Sequence, residues 1–128
     1  MAVYGVGFNY GGYNSQKERF LKEGIVCTDW PEKDGKYFHE CMRRMKLGDI
    51  VFLKSFLRAG QTLRVYAIGL VEGVYKENGQ NEGCVKVKWL LELDSPCDIP
   101  VKDGFICRTV TVYEEINPIV ISKIISLL

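Results

Sequence analysis

The chain is poor in the residues that most often announce a catalytic or metal centre. It has one histidine, His39, and its five cysteines (Cys27, Cys41, Cys84, Cys97 and Cys107) are widely spaced, with no Cys-x-x-Cys pair. A structural zinc site wants roughly four clustered ligands at short spacings, so none is expected. His39 and Cys41 stand two apart on a helix-periodic stretch and face different ways, which argues against a thiol–imidazole nucleophile. The N-terminal glycines form neither a GxGxxG nor a P-loop. No apolar run is long enough to span a membrane, and the first residues lack the basic-then-apolar order of a secretory leader. Net charge is lacking too, since 17 basic residues meet 16 acidic ones to leave +1. These absences predict a protein that is not an enzyme, needs no metal or cofactor, and sits in the cytoplasm with its cysteines reduced.

What is present suits one folded unit. A chain of 128 residues with 47% apolar and 26% charged side chains can bury roughly two thirds of its unfolded surface in a single domain, residues 1–128. The charge is uneven. Lys36 to Arg64 holds seven basic and two acidic residues, so that stretch is +5 and the remainder −4. A solvated helix face followed by strand ends explains this without function; a phosphate-binding neighbourhood explains it with one.

Residues 2–8 read as a buried first strand whose Gly5 and Gly7 lie on one face and permit a close approach. Asn9 to Asn14 form a loop of residues that tolerate positive φ. Ser15 with Glu18 matches a capping box, a helix follows over about 15–23, and Gly24 stops it. Ile25–Cys27 is a short strand that Trp30-Pro31 ends. Phe38, Cys41, Met42 and Met45 carry helical spacing over Tyr37–Lys46. After the turn at Leu47–Asp49, strands are predicted near 50–56, 63–71, 84–91 and 105–112, with an Asn78-Gly79 turn between the second and third. Val85, Val87, Trp89 and Leu91 alternate with Lys86 and Lys88, the mark of a strand with one wet face. The last segment, Asn117–Leu128, is a helix or an extended closing piece. Helices early and strands late predict an α+β fold: a small curved sheet or β-barrel of about five to six strands flanked by helices.

Binding has more support than catalysis. Tyr4, Phe8, Tyr10, Tyr13 and Trp30 lie around two loops, and Phe52, Lys54, Ser55 and Phe56 share one strand. Flat rings stack on a nucleobase while amides and hydroxyls read its edge. Phe8, Phe52 and Trp89 read better as core, Trp89 above all by its alternation with Val85 and Val87, whereas Tyr10, Tyr13 and Trp30 sit beside glycine or proline in loops, where packing explains less.

The segments Arg44–Phe56, Val65–Gly73 and Val85–Leu90 together resemble the PUA-like superfamily. Within it the EVE and YTH domains, and the specificity modules of modified-base restriction systems, are most similar. The glycine-rich first strand (Gly5 to Gly12), Phe20 to Trp30, the Gly-Asp-Ile-Val turn (Gly48 to Val51), Ala67 to Gly73 and Val87 to Trp89 keep that family's order. The resemblance covers most of residues 1–90. It implies a small barrel with a pocket for a flipped, often modified, base from DNA or RNA. By position it points to Asn9, Tyr10, Trp30, Lys54, Ser55, Phe56 and Arg58. Trp30, Tyr10 and Phe56 would wall the base, Asn9 and Ser55 would read its edge, and Lys54 and Arg58 would hold phosphate. The alternatives are a protein-interaction or accessory module that grips a protein partner with the same barrel, or a small-ligand binder.

Overall fold

The structure, a computed structural model, describes residues 1–79 and 81–128. In chain order the elements are β1 (Val3–Val6), β2 (Asn9–Tyr10), β3 (Asn14–Ser15), α1 (Lys17–Glu23), β4 (Ile25–Thr28), α2 (Lys36–Arg43), β5 (Ile50–Leu57), β6 (Thr62–Val71), β7 (Lys76–Glu77), β8 (Gly83–Pro100), β9 (Val112–Glu114) and α3 (Pro118–Ser126). The main sheet runs β4-β8-β6-β5-β1-β9, with β7 added to β8. Among the described residues the β1–β5 pair alone is parallel; the others are antiparallel. The sheet curls into a half-barrel whose edges are β4 and β9, and helices flank it. This is the α+β fold with a small curved sheet that the sequence predicts.

Two cores form on the curl. Val6, Phe8, Phe20, Val26, Met42, Leu53 and Val87 belong to one, joined by α1 and α2. Val3, Phe52, Leu63, Ile68, Tyr113 and Ile124 belong to the other, which α3 covers. Gly5 shows why the first strand needs glycine there: an added Cβ would meet the Tyr113 ring at 2.4 Å and Phe52 at 2.9 Å. The close approach is made by the protein's own rings. β8 is an 18-residue strand, far longer than the alternating run that predicts it. It keeps pairing with β6 by skipping: Ala67 opposes Glu92 and Val65 opposes Cys97, so residues 93–96, with Pro96, form a bulge opposite Tyr66.

Local signals vary in how they survive. Gly24 ends α1 at φ 66°, its N–H bonding Phe20 O, as a left-handed stop requires. The Ser15–Glu18 capping box does not form; Gln16 occupies the cap without a side-chain bond, because Ser15 is paired in β3. Asn117 does cap α3, accepting from Ile119 N with Pro118 next. The strand predicted over 105–112 is instead a 3₁₀ turn, Ile106–Thr109, followed by a short β9. The reason lies in Arg108: only a tight turn brings its guanidinium inward to Asp103 and Glu115. Among the described residues no helix is long and apolar enough to cross a membrane.

The expectation of reduced cysteines fails at one pair. β4 and β8 run antiparallel with Cys27 opposite Cys84, and the two are joined by a disulfide. Sequence spacing hides this, because the partners are 57 residues apart and meet only through strand register. Cys41, Cys97 and Cys107 are free thiols, and burial pushes Cys41 up to about 11.

Candidate functional site

Among the described residues no backbone ladder joins the two edges of the half-barrel; a side chain spans them. Trp30, just past β4, donates its indole N–H to Thr111 Oγ1 at 3.1 Å, just before β9. The Trp30 carbonyl accepts from His39 Nε2 at 2.6 Å, which fixes the tautomer because a carbonyl only accepts. Its backbone N–H faces Thr28 Oγ1 at 3.5 Å. Phe38 packs edge-on against the indole, with centroids 5.7 Å apart. Trp30 is nevertheless 44% exposed. A large aromatic residue is thus immobilised at the surface rather than packed away.

Trp30 lines a cleft of about 360 Å³ with Glu32, His39, Glu77, Asn78 and Glu82. A hydrogen-bond chain runs along it. With Nε2 donating to Trp30, His39 Nδ1 accepts the Tyr75 hydroxyl at 2.7 Å; Glu77 Oε1 lies 3.3 Å from the same hydroxyl, whose single proton serves one acceptor at a time. Arg43 pairs with Glu77 and Glu32 and lies over the Tyr75 ring. At the inner end sits Glu82. Its carboxylate accepts Arg19 through two nitrogens at 2.8 and 2.9 Å, the Tyr10 hydroxyl, and Asn78 Nδ2 at 2.8 Å. The Arg19 guanidinium holds Glu82 down to about 2, and Tyr10 is pushed well above the ordinary phenol range by burial and by Glu82.

Cys27, Cys84 and Glu82 bring three potential metal-ligand atoms within 4.8 Å of one another. They make a poor cation site. The sulfurs are bonded to each other, and the roughly four lone-pair directions of Glu82 are taken by Arg19, Tyr10 and Asn78.

The residues predicted for a base pocket fall in three places. Trp30 lines the first cleft, and Tyr10 stands behind it, bonded to the lining residue Glu82. Asn9 is exposed in the β2–β3 hairpin, opposite Ser15. Phe56 and Arg58 line a second cleft, about 470 Å³, with Gln61, Phe105, Ile106 and Thr109. Lys54 and Ser55 lie between. Ser55 Oγ pairs with the Tyr66 hydroxyl at 2.9 Å. Lys54, expected as a phosphate contact, is 5% exposed and donates to the carbonyls of Arg108, at 3.1 Å, and Val110. Burial lowers its ammonium to about 8. Its place in β5 next to Gly7 turns it inward, where it pins the Ile106–Thr111 strap that separates the clefts.

Sequence reasoning missed Glu82, His39, Tyr75 and Thr111. His39 carried a signal, as a lone histidine near the inner face of an amphipathic helix; Glu82 lies in a polar turn that offers none.

No family model matches the chain, and no curated protein matches it.

Proposed function

We propose that this chain is a non-catalytic nucleic-acid-binding module of the PUA-like kind, with Trp30 stacking on a modified base that is turned out of its strand. The observation that carries the reading is the fixed, exposed indole. Its three polar groups are held by Thr111, His39 and Thr28, so little ordering remains to be done when a planar ligand arrives. The adjoining cleft falls in the size range of small-ligand sites. Glu32, Glu77 and the side-chain amides at its rim suit the edge of a base, and exposed Arg58 beyond the strap suits a phosphate. The curled, helix-flanked sheet is compatible with the barrel that the motif order implies.

Stacking one base is worth about 1–3 kcal/mol, so phosphate contacts must supply the rest and affinity must fall with salt. Anisotropy titrations with oligonucleotides carrying a modified or a plain base test this. Trp30→Ala should erase the preference between them and leave weak, salt-sensitive binding. Equal loss on both oligonucleotides overturns the reading, as does a wild type that binds neither at low salt.

A second reading, a protein-interaction module, draws on Ile106, Ile116 and Ile119, which are 79%, 64% and 80% exposed. It predicts no binding to nucleic acid at low salt, and self-association in sedimentation that Ile119→Asp relieves.

A further inference from the structure

The disulfide is rooted where both walls of the Trp30 cleft begin. Cys27 precedes Thr28, Asp29 and Trp30 by sequence, and Cys84 follows Glu82 and Gly83. We propose that Cys27–Cys84 is a reversible thiol–disulfide couple that sets the cleft, closed and ordered when oxidised, loosened when reduced.

The route of the coupling can be followed atom by atom. Unbonded sulfurs cannot stay at bonding distance, so reduction forces them apart. Cys27 is fully buried and has no room to yield. Cys84 is half-buried near the sheet's rim, paired with Lys76 of β7, and is the side that must move. Its neighbour Gly83 fits without slack: an added Cβ would stand 2.5 Å from the Tyr75 hydroxyl and 2.8 Å from His39 Nδ1. Those two groups are the ones that hold the Trp30 carbonyl and Glu77. On Gly83's other side, Glu82 carries Tyr10, Arg19 and Asn78. A shift at Cys84 therefore reaches both walls through one residue.

The chemistry balances with a dithiol as reductant. Its thiolate attacks the more accessible Cys84 sulfur and releases the Cys27 thiolate, which takes a proton. The second reductant thiol then attacks the mixed disulfide and frees Cys84. Two electrons pass from the dithiol, which becomes a disulfide, to the protein. Oxidised dithiol runs the exchange backwards.

The test uses the folded wild type in mixtures of reduced and oxidised dithiothreitol, and it does not depend on which ligand the cleft takes. Alkylation with peptide mapping counts the free thiols, and hydrogen exchange reports the cleft. Full reduction should free Cys27 and Cys84 in addition to the three thiols already free. Exchange at the amides of Trp30, Asn78 and Glu82 should quicken by about tenfold or more, while Phe52 and Ile68 in β5 and β6 keep their protection. Cys84→Ser should exchange like the reduced protein in every mixture. Unchanged exchange at the cleft after reduction overturns the proposal. So does a crosslink that opens only when the whole chain unfolds, or one that never forms.

Discussion

Two of the clusters in which arginine meets carboxylate, those around Arg108 and Glu82, differ in depth. Around Arg108 the guanidinium is 1% exposed. It bonds Asp103 through two nitrogens and Glu115 through two, and Glu115 also accepts the Tyr113 hydroxyl. Around Glu82 the carboxylate is 8% exposed, but its Arg19 partner is 31% exposed, and Glu82 and Asn78 line the Trp30 cleft. In the deep cluster Arg108 and Glu115 are sealed and only Asp103, 30% exposed, reaches the second cleft, so its bonds serve mainly the fold: they fasten the 3₁₀ turn beneath α3. The shallow one fastens the β2–β3 hairpin, α1 and the turn before β8 to one anion, and so shapes a surface. Similar bonds become structure or site according to which side water reaches.

Breaking the deep cluster should cost most. Glu115→Ala strands a buried guanidinium and removes the partner of Tyr113, so urea unfolding should show a loss of about 3–5 kcal/mol. A loss below about 1 kcal/mol would mean that water or relaxation satisfies Arg108, and the contrast would collapse. Glu82→Gln should cost less, about 2–3 kcal/mol, because Arg19 can turn to solvent. Its pH signature is sharper. The Glu82 carboxyl lies near 2 when folded, against an ordinary 4.5. Its stabilisation is therefore present above pH 4.5 and lost as pH falls towards 2. Acid melts of Glu82→Gln should lack that part of the wild-type decline.

Lys54 sharpens the comparison from a third position, since it is buried against carbonyls without a carboxylate. Its folded value near 8 lies below the ordinary 10.5. Between those values the unfolded chain binds more protons, so stability should rise with pH through that window, by about 1–3 kcal/mol. Lys54→Met should flatten the rise; a wild type whose stability is level from pH 8 to 10 would remove Lys54 as its source. Thr111→Val should have the smallest effect on folding, about 1 kcal/mol or less. Its mark would be a more mobile indole, seen as greater acrylamide quenching in a Trp89→Phe background, and quenching that does not change would deny the bridge across the sheet edges.

Much of this fold can be read in the chain. The Val85–Leu91 alternation, the helical spacing of Cys41 and Met42, and Gly48 at the entry to β5 each specify their element with neighbours alone. The parts that could not be read depend on partners distant in sequence. Phe105–Val112 looks extended until Arg108 finds Glu115. Cys27 looks reduced until register sets it opposite Cys84. For the site, aromatic residues in glycine- and proline-rich loops pointed to Trp30, which lines the first cleft, and to Tyr10, whose hydroxyl is held by Glu82 in that cleft's wall. Placing Lys54 among surface cations failed because a strand's alternation does not say which face is sealed. Phe56 and Arg58 are near Lys54 in sequence, yet they open onto a different hollow because the 106–111 strap passes between.

The long β8 strand carries a consequence for how the molecule comes apart. Val85 and Val87 at its start belong to one core and Ile99 near its end to the other, so a single stretch of backbone is shared property. Neither half can be excised as an autonomous fragment, and loss of order in one should propagate to its neighbour. Heating should therefore melt the protein in one transition, with no half-folded species accumulating.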